Sequence, residues 1–238
     1  MKVSLVLQAM LERVATALGP ELCQQMTFVG GCTTGLLLTD EYTLEQVRHT
    51  DDVDLIVHTL GYVGFAQLQE QLKTHGFSIP PATDEAPTCA MKLGDLRVDF
   101  MPDNATVLGF GNRWYQDAMA SASSYPLTDD LSIRLVSPVY FIATKLEAYN
   151  GRGNNDPLDS RDIEDILNLV DGREELLDEI KAAAADVQSY IATEISQLLN
   201  ISDFEYAVQS QARGNAGREE VIFERLEALA GLTLDISL

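Results

Sequence analysis

The hydrophobic pattern of the chain changes period once, close to Val136. Ahead of that point, apolar residues gather in short runs broken by Gly, Pro and Asp, with two or three helical stretches among them. Beyond it they recur at the 3.6-residue spacing of amphipathic helices almost to the end. Strands grouped early and helices grouped late predict an α+β fold rather than a run of alternating β-α units. Residues 1–136 are expected to form a small mixed sheet flanked by helices, and residues 137–238 a helical region that completes a cleft. A length of 238 residues allows one or two domains with a core that needs no disulfide or structural metal.

The first part is predicted to open with a helix over 3–18, stopped by Gly19-Pro20. A strand over 26–29 ends at Gly30-Gly31, and a helix restarts over 32–38. A strand over 54–57 and a helix over 62–74 follow, and Pro80-Pro81 with the polar stretch after it reads as loop. Residues 88–93 and 96–101 flank Gly94-Asp95, a hairpin signal, and 131–136 is a further strand. In the second part, helices are predicted over 139–149, behind Ser137-Pro138, and over 158–170, with a loop at 151–157 between them. Asp171-Gly172 reads as a turn, and an Ala- and Glu-rich stretch over 174–199 as one long helix. Two more helices fit 203–213 and 218–230.

Charge narrows the function. Lys and Arg total 16 against 37 Asp and Glu, a formal net charge of -21. A broad nucleic-acid surface needs many backbone-neutralising cations, and an anionic membrane attracts them, so both partners are disfavoured. A local basic pocket, or phosphates held through a divalent ion, stays compatible. The three cysteines make no C-x-x-C pair and the three histidines no H-E-x-x-H motif, so neither a disulfide framework nor a zinc site is signalled. No 18-residue apolar run occurs, and the opening apolar run breaks too early for a secretory signal, so the cytoplasm is the expected location.

Against this background, three aspartates stand out. Phe28-Val29-Gly30-Gly31-Cys32-Thr33-Thr34 is followed by Thr50-Asp51-Asp52-Val53-Asp54-Leu55-Ile56-Val57, and later by Leu96-Arg97-Val98-Asp99-Phe100. Asp52 and Asp54 are two apart on an extended segment, so they project from one face. Asp99 lies in another strand pattern that a sheet can bring alongside. Three converging carboxylates repel one another unless a cation sits between them, and oxygen ligands alone suit Mg²⁺ or Mn²⁺. Gly30-Gly31 at a strand end lets backbone N–H groups approach phosphate oxygens. Taken singly, each piece also has an ordinary reading: a turn, a surface pair, a solvent-facing strand residue. Taken in this order they point to metal-dependent phosphoryl or nucleotidyl transfer. Neither G-x-x-x-x-G-K-[ST] nor G-x-G-x-x-G occurs, which excludes a P-loop and a dinucleotide fingerprint.

Other residues leave two readings open. Lys145, among Ile142, Leu146 and Tyr149, is either a snorkelling lysine or, with Arg152 and Arg161, a local counter-charge for phosphate. Asp162 and Asp165 fit helix-stabilising ion pairs with Arg161. Trp114 fits base stacking or core packing.

The Gly30-Gly31-Cys32 turn, Thr50-x-Asp52-x-Asp54 and Asp99 resemble the catalytic core of the DNA polymerase β-type nucleotidyltransferase superfamily. Ser137-Pro138-x-Tyr140-Phe141-x-Ala143-x-Lys145-Leu146-x-Ala148 and Arg161-Asp162-Ile163-x-Asp165-Ile166 resemble its AbiEii/AbiGii toxin branch, which includes toxins of toxin–antitoxin systems. The resemblance covers residues 28–170 and implies a nucleotidyltransferase-like fold. It implies Asp52, Asp54 and Asp99 as ligands of Mg²⁺ or Mn²⁺, with Asp99 also orienting or deprotonating the acceptor hydroxyl. By the same resemblance Gly31 and Cys32 would line the triphosphate, Lys145 would face its phosphates, and Asp162 would belong to the supporting downstream motif. From the residues themselves, Gly30 is expected in the same turn and Arg152 beside Lys145 as counter-charge. The family more often carries Ser where this chain has Cys32. The implied donor is an NTP such as ATP, the acceptor a small molecule, a protein or RNA, and the partner of a toxin an antitoxin. The alternatives are a nucleotide-binding or regulatory module without turnover, and an interaction protein paired with an antitoxin.

Overall fold

A computed structural model describes residues 3–81, 87–152 and 156–234. In chain order the elements are α1 (Val3–Cys23), β1 (Met26–Val29), α2 (Thr34–Leu37), α3 (Glu41–Leu44), β2 (Asp52–Val57), α4 (Gly61–Thr74), β3 (Ala90–Leu93) and β4 (Leu96–Pro102). They continue with α5 (Tyr115–Ser121), β5 (Ser123–Thr128), β6 (Leu131–Leu135), α6 (Pro138–Arg152), α7 (Arg161–Gly172), α8 (Leu176–Lys181), α9 (Ala185–Leu199), α10 (Ser202–Ala212) and α11 (Ala216–Ala230). The fold is α+β, with one mixed sheet and a helix-rich C-terminal region, as the change of period predicts. Among the described residues no helix is long and apolar enough to cross a membrane.

The chain forms two compact units. The first comprises Met1–Thr33 and Arg48–Ser137 and, among the described residues, holds a six-stranded sheet in the order β3-β4-β2-β1-β6-β5. Pairing is antiparallel for β1/β2, β3/β4 and β5/β6, and parallel for β2/β4 and β1/β6. All four residues of β1 are buried, as are Leu55, Ile56 and Val57 of β2, so these strands are covered on both faces beyond Asp54. Helix α1 lays Leu7, Leu11, Val14 and Leu18 into the core, each burial contributing roughly 1.5–3 kcal/mol. Gly19, at φ 73°, breaks that helix where the sequence places its stop, and a short second turn carries Leu22 inward. The hairpin forms as predicted, with Leu93 opposite Leu96 and Gly94 at φ 64°.

Two elements of this unit escape the periodicity. Strand β5 contains Pro126, which argues against a central strand, and β5 is indeed the outermost strand, where a missing N–H costs no ladder bond. Helix α5 has only seven residues, too short to display a period.

The second unit comprises Thr34–Val47 and Pro138–Leu238. Helix α7 starts at Arg161, three residues later than the apolar pattern suggests, behind Ser160, whose hydroxyl accepts from the Ile163 N–H. It continues through Asp171 and Gly172, which are its last residues rather than a turn. Gly172 allows a close approach there: an added Cβ would lie 2.8 Å from the Thr43 Cβ, and its carbonyl accepts from the N–H groups of Thr39 and Asp40. The stretch expected as one long helix is two, α8 and α9, broken at three alanines despite their propensity. Gln188 of α9 explains the break, donating through Nε2 to the carbonyls of Lys181 and Ala183 at 2.9 and 2.7 Å. Much of the loop expected between α6 and α7, residues 153–155, lies outside the described residues, as does most of the polar stretch after Pro81.

Candidate metal centre

Register assembles the site in the first unit. Parallel pairing sets Asp52 beside Arg97 and Asp54 beside Asp99, while antiparallel pairing sets Val29 beside Asp54. Side chains two apart share a face, so Asp52, Asp54, Arg97 and Asp99 occupy one face at neighbouring strand ends. One carboxylate oxygen from each aspartate lies within 4.8 Å of the others. Asp52 and Asp54 are half-buried and Asp99 is 6% exposed. Three acids this close favour a shared cation, and a set of oxygens alone matches a hard divalent ion.

Gly30 closes the turn after β1 onto the same place. Its φ is 78°, and a Cβ there would fall 1.9 Å from Asp54 Oδ2. The position therefore excludes a side chain twice, by backbone conformation and by space. The chain then enters a 3₁₀ turn over Gly31–Thr33, where the Thr33 hydroxyl donates to the Gly30 carbonyl at 2.8 Å. Next to the pair, the Thr50 hydroxyl donates to Asp52 Oδ1 and orients that carboxylate.

Cys32 sits in this turn, but its thiol donates to the Leu7 carbonyl at 3.6 Å and the residue is 2% exposed. Burial pushes the thiol pKa well up, and Asp54 and Asp52 push it further. Cys32 therefore stays a neutral, inward-facing thiol. Cys89, on the approach to β3, is likewise pushed up to about 12 by burial first and then by Asp99.

The side chain whose role the sequence does not disclose is Arg97. It donates from Nε to Asp99 Oδ1 at 2.9 Å and from Nη2 to Asp99 Oδ2 at 2.5 Å. The Asp99 hydrogen bond raises the Arg97 pKa against the effect of burial, and the charges of Asp99, Asp52 and Asp54 add to it. The signal for this was present in Arg97-x-Asp99, since an i, i+2 pair on a strand shares a face.

Lys145, Arg152 and Asp162 lie together in the second unit. Lys145 Nζ donates to Asp165 Oδ2 at 2.6 Å and to Asp162 Oδ1 at 3.1 Å. Arg152 Nε reaches Asp162 Oδ2 at 3.2 Å, and the Thr34 hydroxyl donates to Asp165 Oδ1 at 3.2 Å. Asp165 is fully buried and Lys145 is 7% exposed, so Lys145 is no snorkelling lysine. Burial pushes Asp162 up, but Lys145 and Arg152 outweigh it and hold the acid below its ordinary value. Trp114 is a core residue, 3% exposed.

The mixed sheet, the glycine turn and the clustered triad are consistent with a generic nucleotidyltransferase-like active site whose acids could hold a metal ion. No family model matches the chain, and no curated protein matches it.

Proposed function

We propose that the protein is a divalent-metal-dependent nucleotidyltransferase that moves a nucleoside monophosphate from an NTP to an acceptor hydroxyl and releases pyrophosphate. The observation that carries this reading is the convergence of Asp52, Asp54 and Asp99 within 4.8 Å on one sheet face, with the Gly30 turn closing on Asp54. Mg²⁺ or Mn²⁺ held by these acids would supply the charge that steadies the α-phosphoryl group and the leaving pyrophosphate. Asp99 orients the acceptor hydroxyl and takes its proton, while the backbone N–H groups of Gly31 and Cys32 receive phosphate oxygens. Because the Cys32 thiol is turned to Leu7, its contribution is assigned to the backbone alone. Positioning and charge neutralisation provide most of the rate enhancement in such a site.

The roles on the donor phosphates expected of Lys145, Arg152 and Asp162 belong to this proposal. So do ATP as a donor, the AbiEii/AbiGii branch, an antitoxin partner and a cytoplasmic location. With a charge of -21, a small molecule or a protein fits as acceptor better than an extended RNA. A second reading, a nucleotide-binding module without turnover, draws support from the Asp99 carboxylate, both of whose oxygens already carry guanidinium bonds.

The test is incubation with each α-labelled NTP, Mg²⁺ or Mn²⁺, and pools of RNA, protein and small metabolites. Label should pass to an acceptor with the unaltered protein, fall at least about a hundredfold in Asp54→Asn, and persist in Asp51→Asn. Asp51 precedes the strand and is exposed, which makes it the internal control. Equal losses from both variants would reject the triad as the site. Tight nucleotide binding without transfer would select the module.

A further inference from the structure

Arg97 holds the place that a metal ion needs. In its present position the guanidinium bonds both oxygens of Asp99, a fork-to-carboxylate pairing stronger and more directional than a single hydrogen bond. An oxygen already accepting from a cation is a poorer ligand for another cation. The register places Arg97 directly beside Asp52, and Asp52 and Asp54 both stabilise its charge. One guanidinium is therefore the counter-charge of three carboxylates, on the same face and at the same strand ends.

We infer that Arg97 couples divalent-ion binding to triphosphate binding, by giving up Asp99 to the ion and taking the donor's phosphates as its new partner. This rests on the nucleotidyl-transfer reading. The exchange is physically cheap for the scaffold. Asp99 is 8% exposed at its side chain but Arg97 is 41% exposed, so the arginine can turn about its own flexible stem while the buried acid stays in place. Without a triphosphate, the displaced guanidinium gives up two charge-assisted bonds for partners that the ion must share or for water, and free metal binds weakly. With a triphosphate, it recovers them on a phosphate, for which its planar fork is well matched. Metal and nucleotide then favour each other's binding, and linkage makes the coupling reciprocal. Arg97 also supplies the side-chain phosphate contact that the inward-turned Cys32 thiol does not.

A generic electrostatic effect has its own control. Lys92 of β3 is the cross-strand partner of Arg97, on the same face but next to β4 rather than β2. Its removal lowers the local positive charge without touching the fork on Asp99.

The experiment is Mn²⁺ titration followed by electron paramagnetic resonance at fixed ionic strength, with and without a non-hydrolysable α,β-methylene triphosphate. Without the analogue, Arg97→Gln should bind Mn²⁺ at least about tenfold tighter than the unaltered protein, since a repelling cation leaves the site. Lys92→Gln should change it much less. The analogue should tighten Mn²⁺ strongly in the unaltered protein and several-fold less in Arg97→Gln. Arg97→Lys keeps the charge but cannot grip both oxygens, so it should also bind Mn²⁺ tighter than the unaltered protein. It carries the test if Arg97→Gln fails to fold. Mn²⁺ affinity unchanged or weaker in the Arg97 variants, or matched by Lys92→Gln, overturns the coupling and leaves the metal site standing. No Mn²⁺ bound by any of these proteins, with or without the analogue, removes the metal site and the coupling with it.

Discussion

Gly30 meets two demands at one position. It takes a φ of 78°, and it leaves room for Asp54 Oδ2 where a Cβ would stand 1.9 Å away. Gly30→Ala is expected to cost about 1–3 kcal/mol of stability from the strained backbone alone. It should also displace Asp54 and abolish the rise in melting temperature that the proposed site predicts with Mg²⁺. Thermal melting with and without Mg²⁺ reads both effects. A variant that loses stability but keeps the whole Mg²⁺ response would detach Gly30 from the site. The thiols give a second residue-level expectation. Cys89 titrates at about 12 when folded against an ordinary 9.0, so the unfolded chain releases its thiol proton first. The stabilisation is complete below about pH 9 and is lost as pH rises toward 12. Urea midpoints across that range should fall in the unaltered protein and fall less steeply in Cys89→Ala, since Cys23 and Cys32 are raised as well. At this scale the triad was legible in the sequence because a strand has a fixed period of two. The direction of the Cys32 side chain was not, because it depends on the Leu7 carbonyl, 25 residues earlier.

Between elements, the buried cluster on α6 and α7 holds the second unit's helices together. Lys145→Met leaves Asp162 and Asp165 without their ammonium in a nearly dry environment, and about 3–5 kcal/mol of stability should disappear. Chemical denaturation measures that loss. A change near zero would mean that Lys145 is free of structural duty and open to the phosphate role. The same cluster contributes to the acid sensitivity of this unit. Asp162 is held below its ordinary value of 3.8, so its contribution is present above about pH 4 and vanishes as pH falls through the lower folded value. Elements whose bounds depend on a single side-chain contact, or on a place at the sheet edge, were invisible to periodicity. Gln188 ends α8 by bonding Lys181 and Ala183, where three alanines predict continuation. Pro126 argues against a strand, yet β5 exists because the edge of the sheet tolerates a missing donor. Elements with long patterns or paired turn residues, such as α4, α6 and the Gly94 hairpin, needed no such contact and were legible.

Over the whole chain, a charge of -21 makes salt a variable that every metal experiment must hold fixed. Raising KCl should raise the melting temperature by screening self-repulsion, in the triad variants as much as in the unaltered protein. A stabilisation by Mg²⁺ that exceeds KCl at matched ionic strength, and that Asp54→Asn removes, is the part that belongs to the site. The order of strands before helices was legible from the single change of period near Val136. The grouping of Thr34–Val47 with the later helices was not, because α2 and α3 are four residues each and Gly172 draws them in through carbonyl and close-packing contacts that no local pattern announces. The central claim is that one sheet face holds a divalent ion between Asp52, Asp54 and Asp99. Anomalous scattering from a crystal grown with Mn²⁺ and a non-hydrolysable triphosphate tests it most directly. The account predicts a peak roughly 2.0 to 2.6 Å from an oxygen of each aspartate, absent in Asp54→Asn. A crystal with nucleotide bound and no peak among these carboxylates, or a peak that survives Asp54→Asn, would contradict it.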